Sequence, residues 1–363
     1  MQKFIEAYFQ KFTLVAGWKI YLSFFLPLVV LFFATPSFQI IPEHWEPILV
    51  QSEHPFLYHD YPAHSHASKL AFRFVPALII RLLHLNVFGI IVWQYLNGIF
   101  LFYVVVYVVE LKTKNKLIAL YSVLLTAFIF TGKVSFINFK DTFDSLIISL
   151  ILLCFVISNN LTIFLLILFV GFTDERGLIC TGFIFIYYLF FFIEYKKKKS
   201  VLITIIASWI IYLLIRIGLG YFFSLRTSTV GFDLPTMALN LNFSPLTLWQ
   251  TFEGGWILII LFFIYIQKKN FYIGLLFFVE ILILTLAAFL VFDVSRSLVY
   301  LFPILIIAIN YLSFFKEKER IQFYLLCSVL ISFIYPAYCS AGETNTWLLP
   351  LPLKLLFEFF TNS

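Results

Sequence analysis

Between Pro42 and Lys69 the chain carries Glu43, His44, Glu46, Glu53, His54, His59, Asp60, His64 and His66, so five of its six histidines fall in one short stretch. A carboxylate with a tuned pKa can take a proton from a hydroxyl nucleophile that it reaches. Glu43, Glu46 and Asp60 are the candidates for that role. His59, His64 and His66 have the chemistry of a base, a phosphate partner or a metal ligand. The run HDYPAHSH does not have the ligand spacing of a zinc site, so no metal ligand is assigned. A divalent metal remains compatible with the donors.

Four further groupings interrupt otherwise apolar sequence. Arg73, in AFRFVP, suits a phosphate at head-group depth, or simply anchors a helix. Asp141 and Asp144, in NFKDTFDSL, share a helix face in a first turn, where capping explains one of them. TDER sets Asp174, Glu175 and Arg176 between two apolar runs with almost no loop to hold them. Charge at such depth is costly and marks either a function or an internal pair. In DVSR, Asp293 and Arg296 are spaced for an i, i+3 ion pair, and Arg296 can equally face a phosphate. Arg216 and Glu280 lie deeper, inside apolar runs. No Ser-His-Asp order, P-loop or dinucleotide fingerprint is present, which argues against a soluble nucleotide-activated donor.

The elements that position these residues are membrane helices. The chain of 363 residues is 62% hydrophobic and 12% charged, with mean hydropathy +0.98. Soluble domains carry about twice that share of charge, so the expected class is an all-α, polytopic transmembrane bundle forming one domain over 1–363. About eleven spans are expected, at 18–36, 88–109, 117–131, 144–157, 161–172, 177–194, 200–223, 252–267, 271–291, 297–315 and 321–337. Those at 144–157 and 161–172 are short. The segment 70–85 carries Arg73, Arg81, His84 and Pro76 and reads as a helix in the membrane interface, its basic side chains reaching towards head groups. With the first outer loop it occupies 37–86. The four cysteines show no disulfide or metal spacing.

The lysine clusters at 112–116, 196–199, 268–269 and 316–320 fall on one side of this arrangement, together with Lys3, Lys11 and Lys19. The positive-inside rule makes that side, and the N-terminus, cytoplasmic. All aspartates and histidines then fall on the opposite face. The outer face is therefore expected to carry the chemistry. The net charge of +6 is spread over these short clusters and indicates no nucleic-acid partner.

The order of a first span, a long acidic outer loop, AFRFVPALIIRLL, NFKDTFDSLIISLILL, TDERGLI and DVSRSLVYLFPIL resembles the bacterial branch of the GT-C superfamily of integral-membrane glycosyltransferases, over roughly residues 18–310. The resemblance implies a polyprenyl-phosphate sugar donor, a glycan, lipid or protein acceptor, and metal-independent or metal-assisted transfer at the outer face of the bacterial inner membrane. Carried over, the base is Glu43, Glu46 or Asp60, and Arg73, Arg176 and Arg296 hold the donor phosphate. His59, His64, His66, Asp141, Asp144, Asp174, Glu175 and Asp293 support them. The chain departs from the family pattern in having no adjacent acidic pair at the start of the first loop. Two other classes fit the composition: a transporter or flippase of a lipid-linked or anionic solute, and a surface-polysaccharide polymerase or ligase.

Overall fold

The structure, a computed structural model, describes residues 9–34, 45–57, 70–137, 143–191, 195–225, 234–242, 244–291, 293–315, 317–341 and 344–361. They are helical almost throughout. In chain order the helices are α1 (Trp18–Phe33), α2 (Glu46–Glu53), α3 (Phe74–Leu82), α4 (Val87–Thr113), α5 (Lys116–Phe128), α6 (Phe130–Ile137), α7 (Asp144–Cys154), α8 (Asn160–Thr173), α9 (Glu175–Cys180) and α10 (Gly182–Phe191). Then follow α11 (Tyr195–Phe223), α12 (Leu234–Leu241), α13 (Ser244–Phe252), α14 (Trp256–Lys269), α15 (Phe271–Phe289), α16 (Val294–Leu298), α17 (Phe302–Phe315) and α18 (Lys318–Ile334). A hairpin of β1 (Ala337–Ala341) and β2 (Thr344–Leu348) and a last helix α19 (Leu351–Thr361) complete the order.

Among the described residues, five helices are long and apolar enough to cross a membrane: Val87–Thr113, Lys197–Phe223, Ser244–Lys269, Phe271–Phe289 and Val294–Phe314. Counting the bent pair α5–α6 as one span makes six. Helix also covers each of the other positions where a span is expected, but in shorter pieces. α7 and α8 rise only about 16 and 21 Å, against about 30 Å of hydrocarbon.

The helices start where polar caps stand beside apolar runs. The side chains of Asn86, Asn115, Asn159 and Asn270 accept the N–H groups of Gly89, Ile118, Thr162 and Tyr272, which would otherwise be orphaned in the first turns of α4, α5, α8 and α15. Within the bundle the stretch 294–314 is enclosed nearly all round. It packs with α4, α7 and α14 through fully buried Phe102, Phe262, Tyr300 and Phe302. α11 and α15 are peripheral and turn most of their apolar surface outward.

Several expectations are corrected in detail. The span expected at 117–131 is two helices meeting at 54° around Ile129. The span expected from 252 begins eight residues earlier and is broken by a 3-10 turn at Glu253–Gly255. The hairpin at 337–348, with Tyr338 opposite Trp347, had no counterpart in the expected layout. The segment 70–85 is not a span: α3 has nine residues and rises about 14 Å. Its two arginines differ: Arg81 is exposed, as expected, and Arg73 is not. Arg81 Nη1 donates to the Glu53 carbonyl at 2.8 Å, tying α3 to the end of α2, and Arg73 turns into the bundle.

Connectivity separates two ends of the molecule. α7 runs away from Asp144, α8 returns to Asp174, and Asn160 meets Ser200 on α11 at 2.5 Å at the far turn. The lysines at 197–199 therefore stand at the opposite end from Asp144 and Asp174.

Candidate functional site

Asp174 is the residue around which the site is built. It ends α8 with extended backbone and opens α9, where its Oδ1 accepts the Arg176 N–H at 2.9 Å. That cap lets TDER join two apolar helices without a loop. The same carboxylate takes a two-pronged contact from the Arg176 side chain, Nε to Oδ1 at 2.9 Å and Nη2 to Oδ2 at 2.7 Å. Arg73, entering from the start of α3, donates Nη1 to Oδ2 at 2.9 Å. Burial works against the charge on Asp174, but Arg176 and Arg73 overcome it and hold the carboxyl well below the usual range. Burial likewise opposes the Arg73 charge, and Asp174 and Glu175 reverse that and hold its pKa above the ordinary arginine value.

Glu175 extends the network towards solvent. Its Oε2 accepts Arg73 Nε at 2.8 Å and its Oε1 accepts Arg216 Nη1 at 3.1 Å. Arg216 sits on α11 one turn beyond Tyr212, donates to the Tyr212 hydroxyl at 2.7 Å, and lies over the Phe72 ring at 4.3 Å. On the other side Arg176 Nη1 donates to Ser297 Oγ, and its guanidinium lies over the Tyr300 ring. Asp144, the first residue of α7, accepts Arg296 Nε at 2.5 Å and the Tyr300 hydroxyl at 2.6 Å. Arg296 Nη1 stands 3.5 Å from Asp293 Oδ2, so the expected i, i+3 pair forms, but the closer bond goes to Asp144.

Seven residues singled out from sequence thus meet in one network: Arg73, Asp144, Asp174, Glu175, Arg176, Asp293 and Arg296. Glu46 is exposed in the first turn of α2 and makes no ion pair with the network among the described residues. Glu43, His59, Asp60, His64, His66 and Asp141 lie outside the described residues. Arg216, Tyr212, Ser297 and Tyr300 were not expected at a site. Their signal is helical spacing: Tyr212 and Tyr300 each stand four residues from an arginine on the same face, a distance at which side chains meet.

The network contains four guanidinium and four carboxylate groups and is neutral overall. It is graded in exposure: the Asp144 and Arg296 side chains are 4% and 5% exposed, those of Arg216 and Glu175 24% and 29%. Among the described residues, Nη2 of Arg73 and both Nε and Nη2 of Arg216 make no hydrogen bond to protein. These are the donors left for an anion, and a planar fork of this kind matches phosphate oxygens. Family models, curated proteins and solved structures were compared with the chain, and none matches.

Proposed function

We propose that this protein is a membrane glycosyltransferase that moves a sugar from a polyprenyl-phosphate donor to an acceptor hydroxyl at the outer face of the membrane. The observation that carries the reading is the convergence of four arginines and four carboxylates at the acidic end of an apolar bundle, with unused guanidinium donors on the more exposed side. The eleven-span GT-C-like arrangement, with a cytoplasmic N-terminus in a bacterial inner membrane, belongs to the same proposal. It is supported by helix at each expected position and by the separation of the lysine-rich end from the acidic end.

A lipid phosphate arriving sideways from the outer leaflet meets Arg73 and Arg216 first. Arg296 is the least available of the three arginines expected to hold phosphate, because Asp144 and Asp293 already engage it. It orders Asp144 and Tyr300, while Arg176 holds Asp174 and Ser297 in place. The acceptor oxygen bonds to the anomeric carbon as the bond from that carbon to the phosphate oxygen breaks. The proton goes to a carboxylate, Asp60, Glu43 or Glu46 of the first loop, and the polyprenyl phosphate departs with its charge met by guanidinium groups already in place.

The test is a transfer assay on purified protein with a panel of polyprenyl-phosphate sugars and membrane-extracted acceptors, following free polyprenyl phosphate. Release that is lost in Arg73→Met and Arg216→Met supports the reading. Folded protein that releases nothing from any donor removes it.

A transporter or flippase is the alternative, and Glu280 favours it. This carboxylate is buried on α15 against Gly182, which leaves it the space a Cβ would take, and it has no ion-pair partner among the described residues. Intramembrane carboxylates of this kind mark ion paths. Counterflow of a lipid-linked or anionic solute in vesicles, abolished by Glu280→Gln, would decide for it.

A further inference from the structure

A further buried ion pair lies outside this network. Lys133 Nζ stands 3.5 Å from Glu253 Oε1, with both side chains under 5% exposed. Each residue sits at a helix break. Lys133 follows the bend between α5 and α6, and Glu253 opens the 3-10 turn between α13 and α14 with a left-handed φ of 45°. A glycine beside each one packs backbone against backbone. A Cβ on Gly132 would come within 2.0 Å of the Thr126 carbonyl oxygen, and one on Gly254 within 2.2 Å of that of Ser328. The Gly254 N–H also donates to Ser332 Oγ at 3.1 Å. The pair is therefore fastened to the frame through α5 and α18.

From this pair two short paths lead to the site. Two residues along α6, Ser135 Oγ bonds Ser145 Oγ at 2.5 Å, and Ser145 adjoins Asp144. Three residues back along α13, the Gln250 amide donates to Ser295 Oγ, and Ser295 adjoins Arg296. The Asp144–Arg296 bond completes a ring of four polar links on α6, α7, α16 and α13. Apolar packing would hold four helices together without choosing their register, whereas hydrogen bonds and ion pairs are directional. All four links are buried, so each one that is lost strands a polar group away from water.

We propose that Lys133 and Glu253 are positioning residues, closing the ring that fixes Asp144 against Arg296. Their relevance to transfer rests on the proposed glycosyltransferase reading; their effect on the geometry does not.

The experiment compares wild type with Lys133→Met, Glu253→Gln, the milder Lys133→Arg and the exchanged pair Lys133→Glu/Glu253→Lys. Amide hydrogen exchange over 143–150 and 293–300 is followed in the purified protein, with 197–210, at the far end of α11, as the internal reference. The single apolar and neutral changes are expected to raise exchange in the two site segments about tenfold or more, leaving the reference unchanged. Lys133→Arg is expected to keep protection, and the exchanged pair to restore much of it. In a transfer assay the same single changes are expected to lower kcat about ten- to a hundredfold, as displaced catalytic geometry does. Folded single variants with unchanged exchange in both site segments would overturn the proposal, as would a rise spread equally over 197–210. Raised site exchange in a protein that transfers from no donor would sink the glycosyltransferase reading and leave the ring standing.

Discussion

Asp144 and Arg296 lie 152 residues apart in the chain and meet at 2.5 Å, each side chain almost completely buried. Two charges withdrawn from water cost more than their attraction returns unless the remaining lone pairs and protons are also met. Here two more partners contribute: the Tyr300 hydroxyl donates to Asp144, and the Asp293 carboxylate stands 3.5 Å from Arg296. The pair joins the start of α7 to α16, so it is a fixture of the fold as well as part of the site.

Removing one partner should therefore be worse than removing both. Asp144→Leu or Arg296→Met alone leaves an unmatched buried charge and is expected to cost about 3–5 kcal/mol. The double variant should recover part of that loss, although transfer should stay absent. Thermal unfolding of the purified protein, monitored as a double-mutant cycle, checks the sign of the coupling. Additive losses would mean that the two residues do not act as a pair.

Asp174 makes stability depend on acid. Its folded pKa lies below its unfolded value of about 3.9, so its contribution is complete above that value and is lost as the pH falls from there through the folded pKa. Stability from this group is thus expected to be flat between pH 7 and about 5 and to decline below about pH 4. Asp174→Asn should lower stability at neutral pH, since it leaves Arg176 and Arg73 short of a counter-charge, and should flatten the acid slope. Melting temperatures of both proteins across this range provide the comparison.

Arg216 separates binding from folding. Its partner Glu175 is partly exposed and also bonded to Arg73, and such exposed pairs contribute about 0–1 kcal/mol. Arg216→Met should consequently melt within a few degrees of wild type while weakening retention of a short-chain isoprenyl phosphate, measured by equilibrium dialysis. Retention equal to wild type would move the anion away from the Arg73–Arg216 edge.

How much of this was readable beforehand depends on where each charge fell. Asp144, Asp174, Arg176 and Arg296 stand at the ends of apolar runs, where a charge has no solvated loop to occupy, so their types and spacing pointed to a shared site. Arg216 lies about two turns inside an apolar run and reads as an isolated deep charge. Only the tertiary fold brings Glu175 to it. Lys133 and Glu253 were silent for a different reason. FTGKVSFI and TFEGGW read as the polar margins of spans, and nothing local says that both helices break and continue. The hairpin at 337–348 was missed because two strands of five residues carry too little alternation to stand out beside helices of nineteen or more.

The glycines at the breaks allow a direct check on that packing. Gly254→Ala must push a methyl into the Ser328 backbone, which cannot move like the tip of a side chain, so it is expected to cost at least about 1–3 kcal/mol. Gly218, on α11, has open space around its Cα, and Ala there should be neutral or stabilising by up to about 1 kcal/mol. Expression and thermal unfolding of the two variants, side by side, separate close helix contact from a general intolerance of glycine replacement. Equal behaviour would contradict the backbone contact at Ser328.

The last prediction concerns sidedness. Single cysteines at Glu175 and Asp293, both partly exposed, should react with a membrane-impermeant maleimide from one side in intact cells. A cysteine at Lys197 should react only after the membrane is opened. The physical basis is the opposition of the two ends through α7, α8 and α11, together with the general rule that lysine-rich loops stay on the cytoplasmic side of a membrane. If Lys197 labels from outside and Asp293 from within, the bundle keeps its internal geometry but is inverted. A site for an outer-leaflet lipid donor is then excluded, because the arginines would face the cytoplasm.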